Sequence, residues 1–299
     1  MTGGRLDDGA TTASERSDAS HANGARRRSG VRESLSGSPR GDAPRMKIDL
    51  NCDMGESFGA WTTGADARVM PHITSANVAC GAHAGDPTVM RRTVRLARDA
   101  GVAVGAHPGF ADLQGFGRRE MQMDAGELED LLIAQIGALT AVARAEGVTL
   151  QHVKAHGALY NMAAREPRLA AAIARAVKAC DPSLVMFGLP GSALLDAGRA
   201  EGLRVAAEGF ADRSYERDGS LTPRSRPGAV VHDVEAVVAR AVRMVRDGEV
   251  LTIDGRAVAL EAQTICVHGD TPGAADLVER IGEALRAGGV EIAPIGAWL

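Results

Sequence analysis

The sequence contains few cysteines, aromatic residues and lysines, and these shortages exclude several classes of protein. Its four cysteines are widely spaced, with no CxxC pair, so neither a disulfide framework nor a thiolate zinc site is predicted. Aromatic residues make up only 3% of the chain, which argues against recognition by base stacking. The net charge of −4 argues against a general nucleic-acid surface.

Membrane and nucleotide signatures are missing as well. No apolar run approaches the roughly 20 residues that a transmembrane helix needs, and no secretory signal is recognisable. The sequence therefore predicts a soluble protein in the reducing cytoplasm. It contains no GxxxxGK[ST] pattern, no GxGxxG turn after a strand and no Gly-x-Ser-x-Gly elbow, which excludes standard P-loop, dinucleotide and serine hydrolase sites.

Residues 1–45 differ in composition from the rest of the chain. They lack Phe, Tyr, Trp, Ile and Cys and are dominated by Gly, Ala, Ser, Arg and Asp. Such a segment cannot bury enough apolar surface to offset its ordering entropy, so we predict a disordered N-terminal extension. Met46 followed by a strand resembles a natural start, which makes the extension either a dispensable addition or a misassigned start codon.

From Met46 onward, strand-like and helix-like segments alternate, as is typical of parallel βα units. The predicted strands are 47–52, 73–79, 102–106, 152–155, 184–188, 204–207 and 264–267. The predicted helices are 87–100, 124–146, 167–179, 192–201, 233–247 and 274–287. About seven parallel strands predict one domain, residues 46–299, folded as a seven- or eight-stranded (β/α) barrel of the TIM type. The alternative is a doubly wound sheet.

Several apolar runs end on a histidine or a carboxylate, as at Asp53, His107 and His156. The C-terminal ends of barrel strands open onto one mouth, so this pattern predicts an active site there. It favours the barrel over the doubly wound sheet, which gathers its ligands at one switch point. The dipeptide Asp254-Gly255 between two apolar runs predicts a hairpin with a type I′ turn beside the barrel.

The first strand and its loop carry three carboxylates, Asp49, Asp53 and Glu56. Asp49, Asn51 and Asp53 share one face of the strand, which predicts that they face a lumen. Acids crowded in a partly dry mouth repel one another, so that either one is protonated for general acid work or a cation is bound between them. We predict that all three are catalytic. The alternative for Asp53 and Glu56 is capping of the following turn.

Histidines and one lysine add further candidates. His83 and His107 each follow a strand and, with an aspartate, would form a face for a divalent metal. Lys154 is one of three lysines beside 31 arginines, and it lies between His152 and His156 in the sequence. A lysine in such a chain indicates a need for a compact ammonium. We predict that Lys154 contacts a phosphate or an oxyanion without being needed for stability, and that His156 moves protons or orients substrate.

Two glycine-rich loops that contain arginine follow strands, at 107–119 and 208–224. Loops of this length in a compact domain are commonly lids or binding loops, and arginine suits a carboxylate or a phosphate. Arg119 and Arg217 are predicted to be solvated surface residues. The candidate substrate-binding residues are Asn51, Arg118, Glu208, Arg213, His268 and Asp270.

Five segments resemble the LamB/YcsF family, in the family's order, and the resemblance extends from Met46 to Leu299. The segments are DLNCDMGESFG (49–59), SANVACGAHAGD (75–86), DLQGFGRR (112–119), VKAHGALYN (153–161) and CVHGD (266–270). The resemblance implies a barrel related to carbohydrate deacetylases, in which an aspartate and histidines bind a divalent metal. Mg²⁺ or a similar ion would fill that role.

The resemblance also implies 5-oxoprolinase activity, the cleavage of the lactam of 5-oxo-L-proline to L-glutamate. That reaction uses ATP as co-substrate and needs partner subunits B and C. An unstrained lactam is a poor electrophile. Phosphorylation of its oxygen would activate the ring carbon so that water can attack it. The acids, Lys154 and His156 suit either the phosphorylation or the hydrolysis. A stand-alone metal-dependent deacetylase and a non-catalytic scaffold protein stay open as alternatives.

Overall fold

The computed structural model describes residues 46–267 and 273–299, so the predicted extension, His268 and Asp270 lie outside the described residues. The strands are β1 (Lys47–Met54), β2 (Ser75–Ala79), β3 (Ala103–His107), β4 (Leu150–Val153), β5 (Val185–Gly188), β6 (Arg204–Phe210), β7 (Glu249–Leu251), β8 (Ala257–Ala259), β9 (Thr264–Val267) and β10 (Glu291–Ile292). The helices are α1 (Asp66–Val69), α2 (Pro87–Ala100), α3 (Ala125–Ala145), α4 (Gly157–Ala163), α5 (Pro167–Cys180), α6 (Ala193–Ala200), α7 (Val234–Arg246) and α8 (Ala274–Ala287).

Seven parallel strands close into a barrel in the order β1-β2-β3-β4-β5-β6-β9, and β9 pairs with β1. β10 is added alongside the start of β1, where Glu291 and Ile292 face Lys47 and Ile48. The predicted seven- or eight-stranded (β/α) barrel is confirmed. The doubly wound alternative is wrong, because pairing of the first barrel strand with the last leaves no open sheet with a switch point.

The helices surround the barrel, and their ends follow the sequence signals. α2 begins at Pro87, and the side chain of Asp86 accepts hydrogen bonds from the backbone amides of Thr88 and Val89. The same helix ends at Gly101, which has a φ of 69°. Such a left-handed cap favours glycine. None of the described helices is long and apolar enough to cross a membrane.

β7 and β8 form the predicted antiparallel hairpin. The predicted type I′ turn is wrong, because that turn needs a positive φ at both central residues, and Gly255 has one (80°) whereas Asp254 does not. Instead, the amide of Gly255 donates to the Thr252 carbonyl and the amide of Thr252 donates to the Arg256 carbonyl. This pattern is that of a three-residue loop ending in a left-handed glycine.

The barrel lumen contains polar side chains, whereas the opposite strand faces pack against the helices through apolar residues such as Ile48, Leu50 and Cys52. This alternation confirms the predicted lumen face of β1. Asp49 is fully buried, and its carboxylate accepts hydrogen bonds from the hydroxyls of Thr74 (2.7 Å), Ser75 (2.7 Å) and Thr264 (2.5 Å).

A second group of hydrogen-bonded side chains is buried in the lumen between Asp49 and the mouth of the barrel. Asn51 donates to the carboxylate of Glu208 (3.0 Å), and Asn77 donates to Asn51 (2.7 Å) and to Asp53 (2.8 Å). His152 bonds to the Asn77 carbonyl oxygen at 2.7 Å. Its ring occupies the space of a side chain at Gly105, where a Cβ would lie 2.1 Å from Nε2. The glycine is therefore required by the close approach.

Replacement of Asp49 by asparagine is expected to change how stability depends on pH. Burial raises the pKa of Asp49 to about 6, against the opposing effect of its hydroxyl donors. The folded state therefore binds this proton more tightly than the unfolded state, so the stability due to Asp49 falls as the pH rises from about 4 to about 6. Asparagine has no such loss, and the variant should gain about 3 kcal/mol relative to wild type across this range.

Urea unfolding at pH 4, 5, 6 and 7 measures the difference. Asp99→Asn, at an exposed aspartate of α2, serves as the control. Parallel pH profiles for wild type and Asp49→Asn would contradict the prediction.

Candidate active site

A cavity of about 980 Å³ opens at the C-terminal ends of the barrel strands. The predicted residues on its wall come from β1, β3, the two glycine-rich loops and the segment after β4. Its lining includes Asp53, His107, Arg118, Lys154, His156, Tyr160, Arg213 and Arg224. The strand-end pattern therefore predicted the location of the cavity, as expected for a barrel of parallel strands.

Four buried residues at this mouth form a group that could hold a metal ion. One ligand atom from each of Glu56, His83, His107 and His156 lies within 4.8 Å of the others. The rings of His83 and His156 are stacked with centroids 3.7 Å apart, and the His107 ring meets both edge to face. Glu56 Oε1 lies 3.6 Å from His83 Nε2 and 3.5 Å from His156 Nδ1.

The hydrogen bonds of two histidines leave two acceptor nitrogens facing each other. His107 Nδ1 lies 2.7 Å from the Lys154 carbonyl, and His156 Nε2 lies 2.8 Å from the Phe116 carbonyl. Because a carbonyl only accepts, each of these nitrogens carries its ring's proton when the ring is neutral. His107 Nε2 and His156 Nδ1 then present lone pairs to each other at 3.0 Å. A cation between them would convert this repulsion into coordination.

The lowered pKa values of the histidines favour a bound metal ion over a proton between their ring nitrogens. Burial lowers the pKa of His156 well below its usual value, and neighbouring His83 and His107 lower it further. Burial also lowers the pKa of His83, and neither ring nitrogen of His83 has a hydrogen-bond partner among the described residues. Buried polar atoms of this kind are rare unless a ligand satisfies them. The donor set of three imidazoles and one carboxylate therefore fits a divalent transition metal.

Asp53 and Lys154 lie beside the histidines. Lys154 Nζ is 2.8 Å from Asp53 Oδ1 and 3.0 Å from Glu208 Oε1, while Asp53 Oδ2 is 3.4 Å from His107 Nε2. Burial opposes the charge on Lys154, but the negative charges around it, Asp53 foremost, raise its pKa well above the usual value. The ammonium is thus charged and forms a close ion pair with Asp53.

Tyr160 is a further polar group on the cavity wall that the sequence analysis did not select. It lies in α4, directly after the segment that carries Lys154 and His156. Burial and the charge of Glu208 raise its pKa well above the usual value, so its hydroxyl stays protonated. Its place in the 153–161 motif was the signal that could have identified it.

The 107–119 loop supports the histidine group through its backbone. Phe116 has a φ of 54°, and its ring meets the edges of His83 and His156. A Cβ at Gly117 would lie 2.7 Å from His156 Cδ2 and 2.9 Å from His83 Cβ. The Gly-rich sequence therefore lets the backbone pass close enough for the Phe116 carbonyl to fix the His156 tautomer.

The arginines of the two loops divide as predicted between cavity and surface. Arg118 and Arg213 line the cavity. Arg119, with 65% of its side chain exposed, pairs with Asp112, and the similarly exposed Arg217 pairs with Asp254 at 2.7 Å. The predicted surface positions of Arg119 and Arg217 are thereby confirmed.

The predicted catalytic and substrate-binding residues do not all meet at the mouth. Asp53, Glu56, Lys154 and His156 lie together with the two predicted metal ligands. Asn51 and Glu208 are buried beneath them, where they bond each other. Asp49 lies deeper still, bonded to three hydroxyls, and this position does not fit its predicted catalytic role.

The chain is similar to known proteins over most of its length. A family model described as the LamB/YcsF family matches residues 48–299. A protein from Syntrophobacter fumaroxidans, named as the A subunit of 5-oxoprolinase, is 56% identical over 252 residues, 84% of this chain and 100% of the relative. One of the same name from Symbiobacterium thermophilum is 57% identical over 254 residues, 85% and 97% of the two chains. The solved structure of a lactam utilization protein from Thermus thermophilus has 50% identity and a TM-score of 0.79, covering 83% of this chain and 99% of that one.

Proposed function

This chain belongs to the LamB/YcsF family, and we propose that it is the lactam-cleaving component of an ATP-dependent 5-oxoprolinase. The reaction converts 5-oxo-L-proline to L-glutamate and hydrolyses ATP to ADP and phosphate. The observation that carries the proposal is the pair of facing acceptor nitrogens on His107 and His156, 3.0 Å apart beside Glu56 and His83. The names of the relatives, which are more than half identical, supply the substrate.

A divalent metal would be held by Glu56, His83, His107 and His156. Mg²⁺ favours oxygen ligands and keeps several waters, whereas imidazole nitrogens suit zinc, iron, cobalt or nickel. The donor set thus argues against Mg²⁺, the ion that the sequence analysis named as an example. The metal would supply Lewis-acid chemistry for a carbonyl oxygen and for water.

The side chains around the metal group would move protons and balance charge. Asp53 Oδ1 is bound by Asn77 and Lys154. We assign to Oδ2, which lies 3.4 Å from His107 Nε2, the proton that is taken from water as the water adds to the lactam carbon. Asp53 then returns that proton to the ring nitrogen as the carbon–nitrogen bond breaks. Lys154 stabilises negative charge that develops beside Asp53. Asn51 and Glu208 position Lys154 from below.

We assign ATP binding to the assembly with partner subunits B and C, because the chain carries no standard nucleotide-binding pattern. In this division of work, phosphoryl transfer from ATP to the lactam oxygen produces an activated substrate and ADP. Water then adds in the cavity, and the carbon–nitrogen bond breaks to leave an acyl phosphate on the opened chain. A second water cleaves that acyl phosphate to L-glutamate and phosphate. The assembly would work in the cytoplasm, without nucleic acid or membrane.

Reconstitution of the three subunits tests the proposal. Glutamate and phosphate should appear together from 5-oxo-L-proline and ATP, and removal of metal with a chelator should stop glutamate formation. Acetylated sugars serve as the competing substrates, because a stand-alone deacetylase would use the same metal group. Release of acetate by this chain alone, without glutamate formation by the assembly, would refute the proposal in favour of that alternative.

A further inference from the structure

One charged group on the cavity wall is not explained by the metal group. Arg213 follows β6, lines the cavity and is only 4% exposed. Its Nε donates to the Ala229 carbonyl at 3.2 Å, and its Nη2 donates to the Thr222 carbonyl at 2.7 Å. These two bonds fix the plane of the guanidinium, because a planar fork has little freedom once two of its nitrogens are held.

The charge of Arg213 is not paired with a carboxylate. Among the described residues, no carboxylate oxygen forms an ion pair with its guanidinium, whose hydrogen bonds go to the backbone carbonyls of Ala229 and Thr222. Backbone carbonyls satisfy N–H groups but carry no net negative charge. The negative charge of Asp212 favours the charged form of Arg213, but burial and neighbouring arginines oppose it. A buried cation in this position on a cavity wall points to an anion that arrives with a ligand.

Two further arginines add positive charge to the cavity wall and so favour the binding of an anion. Arg118 and Arg224 line the same cavity. Burial lowers the pKa of Arg213 to about 10, and the positive charges of Arg224 and Arg118 contribute to this effect. Three cations that repel one another around a cavity would all be stabilised by one bound anion.

We propose that Arg213, assisted by Arg118 and Arg224, binds the carboxylate of the lactam substrate and so selects a lactam that carries one. This inference rests on the proposed function and names the part of the substrate that this wall recognises. A carboxylate matches the guanidinium fork in plane and charge. A phosphate is the other small anion with this chemistry. The absence of a P-loop pattern from the chain favours the carboxylate.

The arrangement also connects the anion site to the metal group. The guanidinium of Arg118 lies over the Phe116 ring, 4.9 Å from its centroid, and that ring contacts His83 and His156. A lactam held by its carboxylate at the arginines would therefore have its ring in the same cavity as Asp53 and His107. Binding energy from the carboxylate would then serve to orient the reacting carbonyl.

Arg213→Met in the reconstituted complex tests the inference. The KM for 5-oxo-L-proline should rise about 10- to 100-fold, the usual effect of losing a hydrogen-bonded charge. Inhibition by 2-pyrrolidinone, the same ring without a carboxylate, should keep its wild-type inhibition constant. Arg213→Lys should recover only part of the loss, since it restores charge without the fork. Arg217→Met, on the same loop but exposed, is the matched control.

Four outcomes would overturn the inference. An unchanged KM for 5-oxo-L-proline in a folded Arg213→Met complex would show that Arg213 does not bind the carboxylate. An equal loss for both lactams, or a lower melting temperature that Arg213→Lys fully restores together with turnover, would make Arg213 a structural residue. If Arg213→Met weakened inhibition by inorganic phosphate but left the KM for 5-oxo-L-proline unchanged, the arginines of this wall would bind phosphate and not the carboxylate. Failure of the wild-type complex to form glutamate would instead refute the proposed function, and calorimetric binding of the two lactams would still test the arginine site.

Discussion

Replacement of His83 by leucine is expected to abolish metal binding and to lower glutamate formation at least about 10²-fold, since a Lewis acid contributes several kcal/mol to such reactions. The metal-free protein should tolerate the change. Both ring nitrogens of His83 lack hydrogen-bond partners among the described residues, and leucine has no polar atom that needs one. Added Zn²⁺, Ni²⁺ or Co²⁺ should therefore raise the melting temperature of wild type only.

Elemental analysis and thermal unfolding with and without metal measure this effect independently of turnover. His72→Leu, at a histidine outside the group of four, controls for nonspecific metal binding. A metal-dependent rise in melting temperature that survives His83→Leu would mean that His83 is not a ligand.

The same variant separates the two half-reactions. Three imidazoles and one carboxylate do not resemble a site for Mg²⁺ and ATP phosphates, which is built mainly from oxygen ligands. We therefore expect His83→Leu to stop glutamate formation while phosphoryl transfer from ATP, measured as ADP formation, continues in the complex. Loss of both products together would indicate that phosphoryl transfer also requires this mouth.

The barrel could be predicted because its periodic signals are local. The helices α2 and α8 begin and end at the predicted residues, since proline, a capping aspartate or glycine marks the ends of each helix. The strand β9 also has its predicted bounds. The seven-residue helix α4 was missed because it begins directly after the chemistry-bearing segment, at Gly157. A short helix without a capping side chain has too few residues to show a 3.6-residue period.

The depth of each acid in the lumen could not be read from the sequence. Alternation correctly places Asp49 and Asp53 on one strand face, but four residues along a strand correspond to about 13 Å. Asp53 therefore reaches the cavity while Asp49 is buried among hydroxyls. Which strand position coincides with the mouth depends on the stagger of neighbouring strands, and that stagger is a property of the closed barrel.

The partners of the histidines were equally hidden from the sequence. The sequence predicts that His83 and His107 share a metal with an aspartate, whereas the group of four joins them to Glu56 and His156. Asp53 lies next to this group, with Oδ2 3.4 Å from His107, but it is tied to Lys154. Which of two carboxylates near each other in sequence joins the group depends on contacts between residues far apart along the chain, which local patterns do not report.

Replacement of Lys154 by methionine is expected to lower kcat by about 10²-fold or more, since one preorganised charged donor is worth about 3 kcal/mol. It should also destabilise the fold by about 3 to 5 kcal/mol. Lys154 is 2% exposed and lies between Asp53 and Glu208, so its removal leaves two buried carboxylates without a counter-charge. These contacts argue against the expectation from sequence that stability would not depend on Lys154, and the measurement of unfolding decides between the two.

Lys154→Arg should also fail. The ammonium lies within 3.0 Å of Asp53, Glu208 and the Cys266 sulfur, and this arrangement matches a compact point charge better than a planar fork. Near-wild-type turnover by Lys154→Arg would indicate that any positive charge suffices.

A double variant separates the structural effect from the catalytic one. Lys154→Met combined with Glu208→Gln removes one of the two carboxylates left unbalanced, so it should recover part of the lost stability. It should not recover turnover, because the charge beside Asp53 is still missing. Urea unfolding and steady-state glutamate formation by the reconstituted complex measure the two effects. Recovery of turnover in parallel with stability would assign Lys154 to folding alone, since a charge needed by the reacting atoms cannot be replaced by restoring the balance beneath them.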